Sequence, residues 1–254
     1  KVTQWGKKNV VEFYANNRNK VSDLYLSEKK PLSYIDKKKI KSILDYGCAV
    51  GGFYKIFQKY FNNKIYYRGL DIEKNVITEA KKKFKKEKRA KFLNIKKGKI
   101  KEKSNNYNLS FCTGVLNHNN DYKLIISELI RVSSSYIFID SPRVHLGKNF
   151  IGKLNLTNRF PSNIKKNNIV NNYTVNLEDY FLFLKKIFKK NKIYNAVFFG
   201  GNLPYKKKYL KINKKIYFLT FLCKKEKKTK KKNFKILSKD LKIKRLFNHT
   251  FIDA

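Results

Sequence analysis

Apolar and polar positions along this chain fall into a repeating rhythm. Lys41–Tyr46 (KSILDY) reads as a buried strand, Gly47–Gly52 as a turn and Phe53–Phe61 as a helix. Tyr66–Ile72 (YYRGLDI) is a second strand. Asn75–Lys88 carries Val76, Ile77, Ala80 and Phe84 at helical spacing. Ala90–Ile95 and Tyr107–Cys112 predict a third and a fourth strand, Tyr122–Val132 a helix, and Ser135–Asp140 a fifth strand. Strands alternating with helices in this way predict a doubly wound, mostly parallel sheet.

Residues 141–175 break the rhythm with Pro142, Gly147, Gly152, Pro161 and many asparagines. A loop this long within a compact domain is usually functional, and we read it as a substrate lid. The alternation then resumes with a helix at Leu177–Phe188 and strands at Tyr194–Phe199 and Lys215–Cys223. Residues 201–214 show no helical pattern, so the last two strands are expected to form an antiparallel hairpin. That gives a seven-stranded α/β domain over 41–224. Before it, residues 1–40 predict a helical cap, with Val10, Val11, Phe13, Tyr14, Val21, Leu24 and Tyr25 on its apolar side. After it, the KKEKKTKKK block opens a Lys-rich tail, 225–254, with one amphipathic piece at Phe234–Phe247.

Composition adds two questions. The 254 residues carry 60 Lys+Arg against 18 Asp+Glu, a formal net charge of +42. Such charge suits a nucleic-acid or anionic membrane partner. The lysines are spread along the chain, however, and Lys, Asn, Ile, Phe and Tyr are all abundant. That profile also follows from an A/T-rich coding sequence, so nucleic-acid binding is possible but not favoured. The three cysteines, Cys48, Cys112 and Cys223, show no CxxC spacing. They predict neither a metal site nor a disulfide framework, and they suit a reducing compartment. No apolar run approaches the roughly 20 residues of a membrane span, and Lys1–Tyr14 has no secretory core, so a cytoplasmic location is expected. The chain has no methionine, which suggests that its native start is missing.

The sharpest signal is Ile43-Leu44-Asp45-Tyr46-Gly47-Cys48-Ala49-Val50-Gly51-Gly52-Phe53. A buried strand ends in an acid, enters a glycine-rich turn and opens a helix, the arrangement of a Rossmann-type ligand loop. Asp71, at the expected end of strand two, is placed to accept hydrogen bonds from a ribose diol. A third segment, Ser110–His118, follows strand four.

Together these segments resemble class I, Rossmann-like S-adenosylmethionine-dependent methyltransferases of the small-molecule branch. The likeness covers about Ile40 to Asp140 and weakens toward Cys223. It implies S-adenosylmethionine as cofactor, with Asp45, Gly47, Cys48, Ala49, Gly51 and Phe53 around its methionine part. It further implies Asp71 and Ile72 at the ribose, Asn94 at the adenine, and Cys112, Thr113 and Gly114 near the sulfonium. The chain departs from the family at Asn108, where an Asp is common, and in Phe92–Lys96, which lacks the usual adenine-side acid.

His118 and His145 are candidate catalytic bases, each set against a loop histidine with no role. Arg143 and His145 are candidate substrate contacts, and Ser27-Glu28 either borders the cofactor or caps a helix. The implied reaction is in-line methyl transfer. Thr113-Gly114-Val115-Leu116 stands where base N-methylating enzymes carry a (D/N)PPY-like motif, and no Pro-Cys nucleophile exists. The acceptor is expected to be a small molecule or a glycan hydroxyl. An RNA methyltransferase and a non-catalytic cofactor-binding scaffold remain as alternatives.

Overall fold

The computed structural model describes residues 4–96, 98–155, 169–203, 215–225 and 232–252. The N-terminal part holds α1 (Lys8–Asn16) and α2 (Leu26–Leu32), preceded by a 3-10 turn at Gln4–Gly6. The first half of the sheet domain follows as β1 (Ser42–Tyr46), α3 (Gly52–Tyr60), β2 (Tyr66–Asp71), α4 (Lys74–Lys83) and β3 (Ala90–Asn94). Then come β4 (Tyr107–Cys112), α5 (Tyr122–Val132) and β5 (Ser133–Asp140). The chain continues through β6 (Arg143–His145), β7 (Phe150–Asn155), β8 (Ile169–Asn176), α6 (Leu177–Lys190), β9 (Asn195–Asn202), β10 (Tyr217–Lys224), β11 (Asn233–Leu237) and α7 (Leu241–Phe251).

The sheet runs β3-β2-β1-β4-β5-β10, with β9 and β11 beyond β10. Strands β1 to β5 pair in parallel, and β10 is antiparallel to both β5 and β9. This is the expected doubly wound sheet with its final reversed strand. Both faces are covered, so the strands read as continuous apolar runs. On one face Ile43, Leu109, Phe111 and Phe138 pack with Ile56 and Phe57 of α3 and Ala80 of α4. On the other, Leu44, Cys112, Ile137 and Phe221 pack with α5, α6 and α7. The chain builds outward from β1 to β3, then returns to place β4 on β1's other side. The C-terminal ends of β1 and β4 therefore flank the crevice where open α/β sheets bind ligands.

Two regions differ from the sequence expectation. The segment after β5 contains strands, not only loop. Val144 of β6 still pairs with Tyr217 of β10, so β6 carries on the line of β5 after a break at Ser141-Pro142. β8 then pairs in parallel with β6, and β7 antiparallel with β8. The reason for the miss is chemical. Val170, Asn172 and Thr174 are the alternate residues of β8 that face inward, and two of them are polar. Residues 156–168 of this segment, including Pro161, lie outside the described residues.

The second difference is the C-terminal segment. β11 adds to the sheet beside β9, and α7 docks on the core through Ile243, Phe247 and Phe251, spaced by four residues. Phe247 and Phe251 sit 5.1 and 5.4 Å from Phe198 by ring centroid. Residues 226–231 of the Lys-rich block lie outside the described residues. Among the described residues, no helix is long and apolar enough to cross a membrane.

Because Phe247 is buried among aromatic rings, Phe247→Ala should destabilise the fold by about 3 kcal/mol. That corresponds to a Tm drop of roughly 10 °C by calorimetry. An unchanged Tm would mean that α7 does not dock.

Candidate cofactor and acceptor site

The glycine loop is pinned to the end of β2 by its backbone. Gly47 and Cys48 both donate to the Leu70 carbonyl, at 2.7 and 3.1 Å. Ala49 donates to Asp71 Oδ2 at 3.0 Å. Ala49 has φ 46°, a left-handed conformation that costs a residue with a Cβ roughly 1–2 kcal/mol. The hydrogen bond to Asp71 offsets that strain. Gly47 has φ 83°, and a Cβ there would lie 2.2 Å from Val115 Cγ2. The loop after β4 thus rests directly on the glycine loop, which only a glycine permits.

Asp71 is half-buried at the mouth of this arrangement. Its second oxygen accepts the Glu73 N–H at 2.9 Å. Two amides fix the carboxylate, and each oxygen keeps a further lone pair, the number a ribose diol needs. Ile72 beside it is exposed and offers an apolar surface. Gly114, across the crevice, has open space where a Cβ would point. These features fit a nucleoside-bearing cofactor. Asn94 donates to the Asp71 carbonyl at 3.1 Å, so its amide nitrogen braces β2 while its side chain stays on the outer end of β3.

The other expected cofactor residues act through backbone or packing. The Asp45 side chain is fully enclosed and accepts a hydrogen bond from the Tyr67 hydroxyl. It braces the loop from inside the fold. Burial, opposed by that hydrogen bond, pushes its pKa from 3.8 to about 7. Burial likewise raises Asp71 to about 6, against the pull of the backbone donors around it. The Cys48 thiol packs against β2 near Gly69, and Cys112 lies in the apolar core, so burial raises both thiols well above their ordinary range. Phe53 packs against Phe111, ring centroids 4.7 Å apart and planes tilted by 53°.

The N-terminal segment crosses the crevice. Asn75 of α4 donates to the Gly6 carbonyl at one side, and Trp5 lies 4.7 Å from the His118 ring at the other. Further along, the Arg18 carbonyl oxygen would lie 2.5 Å from a Cβ on Gly52, which accounts for the second glycine of the Gly51-Gly52 pair. The Arg18 guanidinium pairs with Glu28 and sits 4.1 Å over the Tyr25 ring. Glu28 caps α2 by accepting the Tyr25 N–H at 2.8 Å, and also accepts the Thr113 hydroxyl at 3.1 Å. Of the two readings of Ser27-Glu28, the helix cap is present at Glu28, which also touches the loop after β4.

The two histidines differ. His145 is buried in its own turn. Gly147 donates to its Nδ1 at 3.1 Å, and its Nε2 meets the Lys148 carbonyl. Both of its ring nitrogens are thus engaged inside this buried turn, which they organise. His118 lies beside the crevice. Its Nδ1 meets the Asn171 carbonyl at 2.8 Å, which can only accept, so Nδ1 carries the proton. Nε2 is then an acceptor and is met by Asn117 Nδ2 at 2.9 Å. Arg143 lies 3.8 Å from Asp140, whose other oxygen accepts the Gly114 N–H at 3.2 Å. Sequence reasoning passed over Arg18, Asn117, Asn172 and Thr174. Only the polar residues at inward positions of β8 offered a signal.

A pinned glycine loop, an acid at the end of β2 and a crevice at the switch point define a Rossmann-like cofactor-binding domain. A family model described as methyltransferase domain matches residues 37–215. The fold is similar to a SAM-dependent methyltransferase from Methanosarcina mazei, at TM-score 0.51 and 14% identity, covering 80% of this chain and 98% of that one. It is also similar to the StiE O-MT, residues 961–1257, at TM-score 0.52 and 14% identity, over 87% and 76% of the two chains. A third likeness is to a Haemonchus contortus phosphoethanolamine N-methyltransferase 2, at TM-score 0.51 and 15% identity. It covers 78% of this chain and 53% of that enzyme, about half its length. A search of curated proteins gave no match. The chain belongs to the methyltransferase-domain family, and its fold is that of S-adenosylmethionine-dependent methyltransferases.

Two outcomes follow from the acids. Asp45 keeps its proton in the folded state up to about pH 7, whereas the unfolded chain releases it near 3.8. Stability should therefore fall as pH rises from 4 to 7, by up to about 1.4 kcal/mol per pH unit for that proton. Urea midpoints at pH 5 and pH 8 should differ less in Asp45→Asn than in the wild type; equal slopes would remove this account of Asp45. Asp71→Ala should weaken S-adenosylhomocysteine binding more than tenfold by calorimetry, because it removes charge-assisted hydrogen bonds. Unchanged affinity would overturn the ribose assignment.

Proposed function

We propose that the chain methylates a hydroxyl of a small molecule or sugar. The observation that carries this is the closure of the acceptor side. The Gln4–Gly6 turn and α1 cover it on one flank, and β8 packs against the turn after β4 on the other. Such an enclosure suits a small acceptor better than a folded RNA. The net charge of +42 does not select RNA, because its lysines are distributed along the whole chain. Fold neighbours include both an O-MT and an N-methyltransferase, so fold likeness does not choose the acceptor atom.

When bound, S-adenosylmethionine supplies a methyl group on a positively charged sulfur. The protein's tasks are then to hold and align the acceptor, to exclude water and to accept a proton from a hydroxyl. Asp71 and the pinned loop Gly47–Gly51 hold the cofactor. Gly114 and Thr113 form the wall between cofactor and acceptor, backed by Cys112 in the core, with Asp140 fixing the Gly114 N–H. His118 serves as the base. The Asn171 carbonyl holds the proton on Nδ1, so Nε2 carries the lone pair; Asn117 Nδ2 donates to it, and the acceptor hydroxyl takes that donor's place before giving up its proton.

His118→Gln should lower kcat by roughly 10²–10⁴-fold while leaving S-adenosylhomocysteine affinity unchanged. The assay is transfer of labelled methyl from S-adenosylmethionine to a panel of sugars, small alcohols, small amines and total RNA. Label recovered mainly in RNA, with strong salt dependence, would replace this reading with the RNA alternative. Full activity in His118→Gln would remove the base.

A further inference from the structure

The methyl-transfer reading leaves three buried polar side chains without a task. Asn117, in the turn after β4, and Asn172 and Thr174, on β8, are only 3%, 1% and 1% exposed. Asn117 Nδ2 reaches Asn172 Oδ1 at 3.3 Å. Asn172 and Thr174 lie two residues apart, on one face of the strand. Yet Asn117 Oδ1, Asn172 Nδ2 and Thr174 Oγ1 have no hydrogen-bond partner among the described residues. Buried polar atoms in native proteins are nearly always paired, because an unpaired one loses its water and gains nothing. Three on adjoining elements, beside the proposed base, point to a missing partner molecule.

Resting on the methyl-transfer reading, we propose that these atoms form the acceptor subsite and that the acceptor is a neutral polyhydroxylated small molecule. Asn117 Oδ1 can only accept a hydrogen bond, and Asn172 Nδ2 can only donate one. Thr174 Oγ1 does either. A hydroxyl both donates and accepts, so neighbouring hydroxyls of one molecule satisfy all three. None of the three side chains carries a charge. An anionic or cationic acceptor would lose its hydration here without gaining a counter-ion. The cation nearest in strand register, Arg143 opposite Thr174, already faces Asp140.

The placement also suits the reaction. Asn117 bonds His118 Nε2, so a molecule held by Asn117 lies next to the base. Val10 of α1 packs with Val170 on the same face of β8, and Trp5 lies against His118. The N-terminal segment therefore closes the subsite, and acceptor entry requires it to lift. A site built to bond hydroxyls rejects analogues that lack them far more strongly than an apolar pocket rejects a missing methylene.

The test uses the full chain, S-adenosylhomocysteine, and three sets of probes. These are neutral sugars and cyclitols, their phosphate esters, and small amines. Labelled methyl should pass from S-adenosylmethionine to a neutral polyol. Asn172→Leu and Thr174→Val should each lower that transfer at least tenfold, chiefly through KM. Both should bind S-adenosylhomocysteine as the wild type does, and Thr174→Val should keep or raise Tm, since it removes an unpaired buried polar atom. If the three atoms merely hold buried water, Thr174→Val lowers Tm and leaves transfer intact, which overturns the proposal. Transfer confined to phosphate esters or amines also overturns it, while leaving the methyl-transfer reading standing. So does the absence of both transfer to and thermal stabilisation by any neutral polyol. Failure of the wild type to bind S-adenosylhomocysteine would instead sink the methyl-transfer reading itself.

Discussion

Everything at this site depends on how the loop after β1 is tied to the end of β2. Gly47 and Cys48 share one carbonyl acceptor, Leu70, and Ala49 is held by the carboxylate of Asp71. Three consecutive amides are thus committed to one neighbouring strand end. This fixes a loop that contains an alanine in a left-handed conformation. It also fixes Asp71, the group that would meet a ribose, so loop and acid are placed as one unit. Val115 then rests on Gly47, which brings the end of β4 against the same unit. The crevice at the switch point is therefore preorganised by backbone bonds rather than by flexible side chains.

On that base the chain builds a cover from two distant stretches. Residues before β1 cross the crevice and are clamped through Arg18, Glu28 and Thr113. Residues after β5 fold back as β6, β7 and β8. Their meeting at His118, Trp5 and Asn171 gives a closed acceptor side. Asp45 resists ionisation because it is enclosed, and on β8 Asn172 Nδ2 and Thr174 Oγ1 are enclosed without a hydrogen-bond partner among the described residues. Such features weaken the fold and mark the place where selection acts on something other than stability.

Much of this was legible in the sequence. KSILDY followed by GCAVGG, and GLDI further on, placed β1, the loop, β2 and Asp71 before any coordinates, because both periodicity and turn chemistry point the same way there. What could not be read has physical causes. β8 alternates correctly, but its inward residues include Asn172 and Thr174, so hydrophobic patterning is blind to it. α7 was visible as an amphipathic piece, yet nothing local in Ile243, Phe247 and Phe251 says that their partner is Phe198, far away in the chain. His145 and His118 look alike in sequence. Only the structure separates them: His145 is bonded within its own buried turn, whereas His118 bonds Asn117 and Asn171 beside the crevice.

The central claim is that the pinned loop and Asp71 hold S-adenosylmethionine. The most direct test is calorimetric titration of the folded wild-type protein with S-adenosylmethionine and S-adenosylhomocysteine, run beside NAD. The account predicts saturable binding of the first two, at one site per chain, and none of NAD. Binding of NAD alone, or of none of the three by a folded sample, would contradict it.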